Sequence, residues 1–206
     1  MTGGVRAVLF DFGGVLSEEG FREGLKAIAM KHGLDPGDFF STANELIHGT
    51  GYVVGMAAEH AYWNALREKT GIRGSDEELR GEIIKRFTLR ASMLGYARQA
   101  KSSGCVVGIL SDQTNWLDEI EEREHFFHHF DYVFNSFHLG KSKQNPSVFR
   151  DVCAVMGCRP GEVLFIDDNA ENIERARSEG LMTILFLGAG DFQKRITTVL
   201  SSVGEA

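Results

Sequence analysis

Four short stretches of this 206-residue chain put oxygen or nitrogen side chains just after apolar runs or in the loop region at that same end. In Val8-Leu9-Phe10-Asp11-Phe12-Gly13-Gly14 a carboxylate leaves an apolar run into a glycine pair. A carboxylate so placed, with backbone N–H groups close by, suits an oxygen nucleophile that forms an aspartyl-phosphate or ester, although an aspartate at a strand end can also serve only as a turn former. In Gly108-Ile109-Leu110-Ser111-Asp112-Gln113 a hydroxyl follows the run. It can donate to a phosphate oxygen or cap the next helix. In Leu139-Gly140-Lys141-Ser142-Lys143-Gln144-Asn145-Pro146 a lysine stands just ahead of a helix start, where an anion is wanted beside the positive end of the dipole. The plain alternative is a solvated loop lysine. In Leu164-Phe165-Ile166-Asp167-Asp168-Asn169 two adjacent carboxylates repel one another unless a cation neutralises them. A hard cation such as Mg2+ fits, because it binds through one or two carboxylates and keeps waters for a substrate phosphate.

These residues need a scaffold that brings distant positions to one edge. Apolar runs at 5–10, 105–110, 132–135, 163–166 and 182–187 have the near-continuous hydrophobicity of parallel strands covered on both faces. Asn145 with Pro146 opens a helix and Gly180 closes another. An alternating α/β chain of this kind binds ligands outside the carboxyl ends of its strands. From 17 to about 90 there is no strand signal, and about four helices are predicted instead. They are 21–31 with apolar Phe21, Leu25, Ile28 and Ala29, then 36–47, then 56–69, and a last one opened by a Ser75–Glu78 capping box. A block this long exceeds the usual βα connection of about 2 to 6 residues and reads as an inserted helical subdomain. The acidic stretch 118–124 reads as a solvated helix face.

A chain that is 43% hydrophobic and 25% charged is globular, not disordered or fibrous. Its 24 glycines against 3 prolines imply many tight turns without Pro-rich linkers. Residues 1–10, interrupted by glycine and Arg6, lack a secretory apolar region, and no apolar run approaches the ~18 residues of a membrane span. A soluble, non-exported protein is expected. The net charge of −7 argues against nucleic acid as a partner, and a small anionic substrate then requires local positive charge at the site. Cys105, Cys153 and Cys158 form neither an even disulfide set nor a close ligand pair. They suit buried thiols in a reducing cytoplasm.

In order and spacing, the four stretches resemble the motif set of the haloacid dehalogenase-like (HAD) hydrolase superfamily, here spanning 7–172. The resemblance implies a Rossmann-like doubly wound parallel sheet, with 1–16 and 90–206 as core and 17–89 as an all-helical cap that covers the site. The strand of Asp11 is then central, flanked by those ending at Ser111 and Asn135 on one side and at Asp167 and Leu187 on the other. It further implies that Asp11 is the nucleophile and that Ser111, with Asp112 and Gly14, receives the phosphoryl group. Lys143 neutralises that group, and Asp11, the Gly13 carbonyl, Asp167 and Asp168 hold Mg2+. The expected activity is hydrolysis of a phosphoric monoester on a small phosphorylated metabolite through an aspartyl-phosphate.

The chain also departs from that pattern. Most phosphatases of the superfamily carry a second aspartate two residues after the nucleophile as general acid and base, and here that position is Gly13. The missing contribution is about 10² to 10⁴ in rate. One alternative is a dehalogenase-like C–X hydrolase, but that metal-free branch loses carboxylates from the acidic pair and has an arginine after the nucleophile. This chain keeps Asp167 and Asp168 and has Ser17-Glu18-Glu19 after Leu16. Another alternative is a catalytically idle phosphate-binding protein on the same scaffold. If active, the enzyme is expected to favour phosphates whose leaving groups need little protonation, unless Glu18, Glu19 or Asp112 substitutes for the missing acid. Asp112 replaces a common asparagine and either faces away or pairs with Lys141 or Lys143, while Gln144 replaces a common proline. His125, His128 and His129 have the spacing of a helical metal pair without a third ligand and read as packing among Phe126, Phe127 and Phe130. His48, Tyr52, Tyr62 and Trp63 either line a pocket or pack the insert, and 49–55 is expected to be its most flexible piece.

Overall fold

β-Branched and aromatic side chains fit a pleated surface covered on both faces. The five apolar runs accordingly form β1 (Ala7–Phe10), β2 (Val106–Ser111), β3 (Tyr132–Asn135), β4 (Val163–Asp167) and β5 (Met182–Leu185) in the computed structural model, which describes residues 4–201. Every pairing is parallel and the order is β3-β2-β1-β4-β5, as the family resemblance implies. Phe10 lies opposite both Ile109 and Ile166, so Asp11, Ser111 and Asp167 leave the sheet at one edge.

The helices are α1 (Gly20–Lys31), α2 (Pro36–Gly49), α3 (Glu59–Thr70) and α4 (Asp76–Ile84) between β1 and β2, then α5 (Ala91–Ser102), α6 (Trp116–Glu124), α7 (Ser136–Leu139), α8 (Ser147–Val155), α9 (Ala170–Ser178) and α10 (Ala189–Ser201). One sheet face, Ala7, Leu9, Leu110, Val163 and Phe165, packs on Phe149 and Val152 of α8 and on Ile173 and Ala176 of α9. The opposite face, Val8, Phe10, Val107, Ile109, Leu164 and Ile166, belongs to a second cluster. Each large side chain fully buried in these layers contributes about 1.5–3 kcal/mol, which fixes where the strand ends stand. No described helix is long and apolar enough to cross a membrane.

The stretch from α1 to α4 contains no strand. Asp35 accepts from the N–H groups of Gly37 and Asp38 to open α2, and both halves of the Ser75–Glu78 capping box are present at α4. The two crossings between this insert and the sheet run side by side. Ser17 bridges Leu89, Glu18 N donates to the Thr88 carbonyl at 2.9 Å, and Arg90 N donates to that of Leu16 at 2.8 Å. The insert has no core of its own. Leu25, Tyr62, Trp63, Ile83 and Phe87 join the second sheet-face cluster, and Trp63 stacks on Trp116 with ring centroids 5.7 Å apart. The segment expected to be flexible is anchored: Tyr52 is buried, its hydroxyl donates to Asn115 Oδ1 at 2.6 Å, and Ser136 Oγ donates to the Val53 carbonyl at 2.7 Å.

Candidate active site

Asp11 is the first residue past β1, and its backbone N–H still donates to the Ile166 carbonyl at 2.8 Å, so the sheet ladder sets its position. Its Oδ1 accepts from Phe12 N at 2.7 Å and lies 2.9 Å from Lys143 Nζ. The Lys143 ammonium also donates to Asp167 Oδ2 at 2.7 Å, and its side chain is 2% exposed, as a shielded charge must be to act at full strength. Burial alone would lower the Lys143 pKa, but Asp11, Asp167 and Asp112 more than offset it and hold the ammonium above its ordinary value. Burial pushes the Asp11 carboxyl well above the usual carboxylate range, Lys143 opposes this, and Asp167 and Asp168 add to it. Asp167 is fully buried, with Oδ1 accepting from Asn169 N at 2.7 Å and Oδ2 also accepting from Asn172 Nδ2 at 3.1 Å.

The other sequence-derived positions fall around this pair. Ser111 closes β2 and lines the cavity above Asp11. It is not a helix cap, because α6 starts at Trp116 after Asn115. Asp112 pairs with the Lys143 loop rather than facing away: both its oxygens accept from the Lys143 backbone N–H, at 2.9 and 3.1 Å. Lys141 is turned outward to Asp151 and Ser147. Gly14 has φ +79°, and a Cβ there would lie 2.0 Å from Asp168 Oδ2, so only glycine lets this loop pass the second carboxylate of the acidic pair. Asp11, Asp167 and Asp168 offer carboxylate oxygens all within 4.8 Å of one another.

Above them opens a cavity of about 380 Å³. Its far wall comes from the insert, with Phe21 and Arg22 of α1 and Phe40, Asn44 and His48 of α2. The Arg22 guanidinium lies 4.3 Å over the Phe40 ring. Of the four insert residues left open by sequence, His48 faces the cavity, whereas Tyr52, Tyr62 and Trp63 are buried in the aromatic cluster around Trp116. Glu19 also lines the cavity, and burial together with the Asp168 carboxylate pushes its carboxyl up to about 7. Sequence reasoning missed Arg90, which donates to the Gly14 and Val15 carbonyls and pairs with Glu18 at 2.8 Å, tying the exit of the insert to the loop after Asp11. No spacing rule marks it, since its partners lie more than seventy positions away. The His128 and His129 rings lie 3.8 Å apart beside buried Phe126 and Phe130, and neither belongs to the carboxylate cluster.

The family model for haloacid dehalogenase-like hydrolases matches residues 5–180. The bifunctional epoxide hydrolase 2 of Rattus norvegicus is 29% identical over 54% of this chain but 21% of its own length, so the chain spans about a fifth of that relative. The D-ribitol-5-phosphate phosphatase of Bacteroides thetaiotaomicron is 23% identical over 96% of this chain and 100% of its own. A HAD family enzyme from Bacteroides thetaiotaomicron shares the fold at a TM-score of 0.76 and 21% identity, covering 94% of this chain and 98% of that one. Its complex with magnesium and inorganic phosphate matches at a TM-score of 0.73 and 20% identity, covering 93% and 99%. With the matched region running through all four motifs, the chain belongs to the haloacid dehalogenase-like hydrolases.

Proposed function

We propose that the chain is a Mg2+-dependent phosphatase that hydrolyses a small phosphorylated metabolite through an aspartyl-phosphate on Asp11. The observation that carries this reading is the contact of Asp11 Oδ1 with the buried Lys143 ammonium at 2.9 Å, on a cavity floor otherwise rich in carboxylates. The donor set fits a hard divalent cation. One ammonium faces Asp11, Asp112 and Asp167, with Asp168 beside them, so anionic charge is in excess and every carboxylate ligand atom on offer is oxygen. Asp11, Asp168 and the Gly13 carbonyl would hold the ion. Asp167, whose two oxygens are engaged by Lys143, Asn169 and Asn172, supports them from behind. When bound, Mg2+ offsets the charge that builds on the phosphoryl oxygens.

The protein's own groups then divide the work. An Asp11 oxygen attacks phosphorus in line, and Lys143 balances the charge that develops during transfer to and from the carboxylate. Ser111 donates to a phosphoryl oxygen, Asp112 locks the loop that carries Lys143, and Gly14 lets the backbone approach. Residues 17–89 act as the cap and supply the wall that meets the leaving group. A polar wall and a volume of about 380 Å³ suit a small polyhydroxylated phosphate ester, and the Bacteroides relative's D-ribitol 5-phosphate is the first compound to try. The three free thiols suit a reducing cytoplasm.

A panel of phosphorylated metabolites assayed for phosphate release tests the reading. Wild type is expected to turn over at least one with Mg2+ and to stop in EDTA, and Asp11→Asn is expected to be folded and inert. Full activity in EDTA or in Asp11→Asn overturns it.

A further inference from the structure

Position 13 lacks the aspartate that most phosphatases of the superfamily use as general acid and base, and another carboxylate stands beside it. Gly13 has no left-handed φ, and a Cβ there would meet only ordinary neighbours: Glu19 Oε1 at 3.4 Å, Phe87 Cε1 at 3.6 Å and Gln113 Nε2 at 3.9 Å. The space next to the position that an aspartate side chain would occupy therefore already holds a carboxylate oxygen. Of the three carboxylates that could substitute, two have other duties. Glu18 is clamped by Arg90, which donates to Oε1 at 3.1 Å and to Oε2 at 2.8 Å. Asp112 spends both oxygens on the backbone N–H of Lys143.

Glu19 is placed differently. It is the N-cap residue of α1, yet its side chain makes no capping hydrogen bond. A short N-cap side chain such as aspartate or serine would accept from the free N–H groups of the first turn. This one instead lines the cavity with Asp11 and Asp168, with Arg22 at 3.9 Å as a loose ion-pair partner.

We propose that Glu19 is the proton donor and acceptor of the reaction. The proposal rests on the phosphatase reading. In the first half-reaction the Asp11 oxygen forms its bond to phosphorus, the bond from phosphorus to the ester oxygen breaks, and that oxygen takes the proton of the Glu19 carboxyl. In the second half-reaction the Glu19 carboxylate takes a proton from water as the water oxygen bonds to phosphorus. The bond from phosphorus to Asp11 breaks, inorganic phosphate leaves, and both side chains return to their starting forms. Glu19 lies on the insert side of the paired crossings at Ser17 and Leu89, so proton delivery depends on the insert being seated on the core.

Glu19→Gln tests this against Asp11→Asn and the wild type with two substrates, an alkyl phosphate and p-nitrophenyl phosphate, whose leaving group needs little protonation. The alkyl phosphate kcat is expected to fall by about 10² to 10⁴, as loss of a general acid requires. With p-nitrophenyl phosphate the transfer to Asp11 survives while the water step slows, so acid quenching is expected to trap more phosphoenzyme than in the wild type. Adding Gly13→Asp to Glu19→Gln is expected to recover at least about tenfold of the lost rate, since the second carboxylate returns the same proton-transfer term. Thermal melting of each variant checks the fold. An alkyl phosphate kcat within about threefold of wild type overturns the assignment. So does an equal loss on both substrates with no gain in trapped phosphoenzyme over the wild type, which marks a merely structural role. An active wild type with inert Asp11→Asn and indifferent Glu19→Gln removes Glu19 alone. A wild type that releases no phosphate removes the phosphatase reading and this assignment with it.

Discussion

The two walls of the cavity are built on different principles. On the core side, Asp11, Ser111 and Asp167 stand at strand ends, are buried, and sit at positions dictated by a parallel ladder. Lys143 joins them through a loop that Asp112 pins by its backbone N–H. On the insert side, Arg22, Phe40, Asn44 and His48 project from helix faces and are half-buried or exposed, with contacts such as the Arg22–Phe40 stack that cost little to rearrange. The difference teaches a division of labour. The wall proposed to handle phosphorus is held by hydrogen bonds whose loss leaves a buried charge unpaired, whereas the wall proposed to meet the rest of the substrate is held by looser contacts. Glu19 bridges the two, being carried by the insert and aimed at the core.

Substitutions on the two walls sharpen or break that contrast. The largest effect is expected from Lys143→Met, which strands Asp11 and Asp167 without their shared cation. Activity is expected to vanish, and urea denaturation to show a loss of about 3–5 kcal/mol, the cost of breaking a buried ion pair. A variant of native stability would mean that the core wall is no more rigid than the insert. Next comes Gly14→Ala. A left-handed φ costs a residue with a Cβ about 1–2 kcal/mol, and the Cβ would drive the Asp168 carboxylate aside. Mg2+ titration is expected to show about ten- to a hundredfold weaker binding, as for a displaced metal support. Unchanged affinity would remove Asp168 from the ion's ligands. The smallest effect belongs to the insert. Asn44→Ala is expected to raise KM for the preferred metabolite by roughly three- to tenfold, the worth of one hydrogen bond, and to leave the melting temperature within a degree or two. A collapse in kcat there would contradict the division.

Most of the core wall was legible because Asp11, Ser111 and Asp167 stand at strand ends, and strands announce themselves by apolar runs bounded by glycine and polar residues. The Ser75–Glu78 box, the Gly180 helix end and the sheet order follow in the same way from local pattern or family resemblance. The insert wall was not legible, because which helix residues face the cavity depends on how α1 and α2 pack. Tyr52 and Trp63 were as good candidates as His48 until the stacking around Trp116 drew them inward. The glycines at 49–55 suggested mobility, but the bonds from Tyr52 to Asn115 and from Ser136 to Val53 join positions 63 and 83 apart in sequence, beyond any local rule. Glu19 was one of three equal candidates, and only the partners of Glu18 and Asp112 set it apart.

The central claim is that phosphorus passes through the Asp11 carboxylate. Acid quenching of wild type during turnover of a labelled phosphate ester, followed by peptide mapping, tests it most directly. The predicted result is label on the peptide containing Asp11, lost in Asp11→Asn and in EDTA. Steady release of phosphate with no label on that peptide, in the wild type and in the slowed Glu19→Gln variant alike, would contradict it.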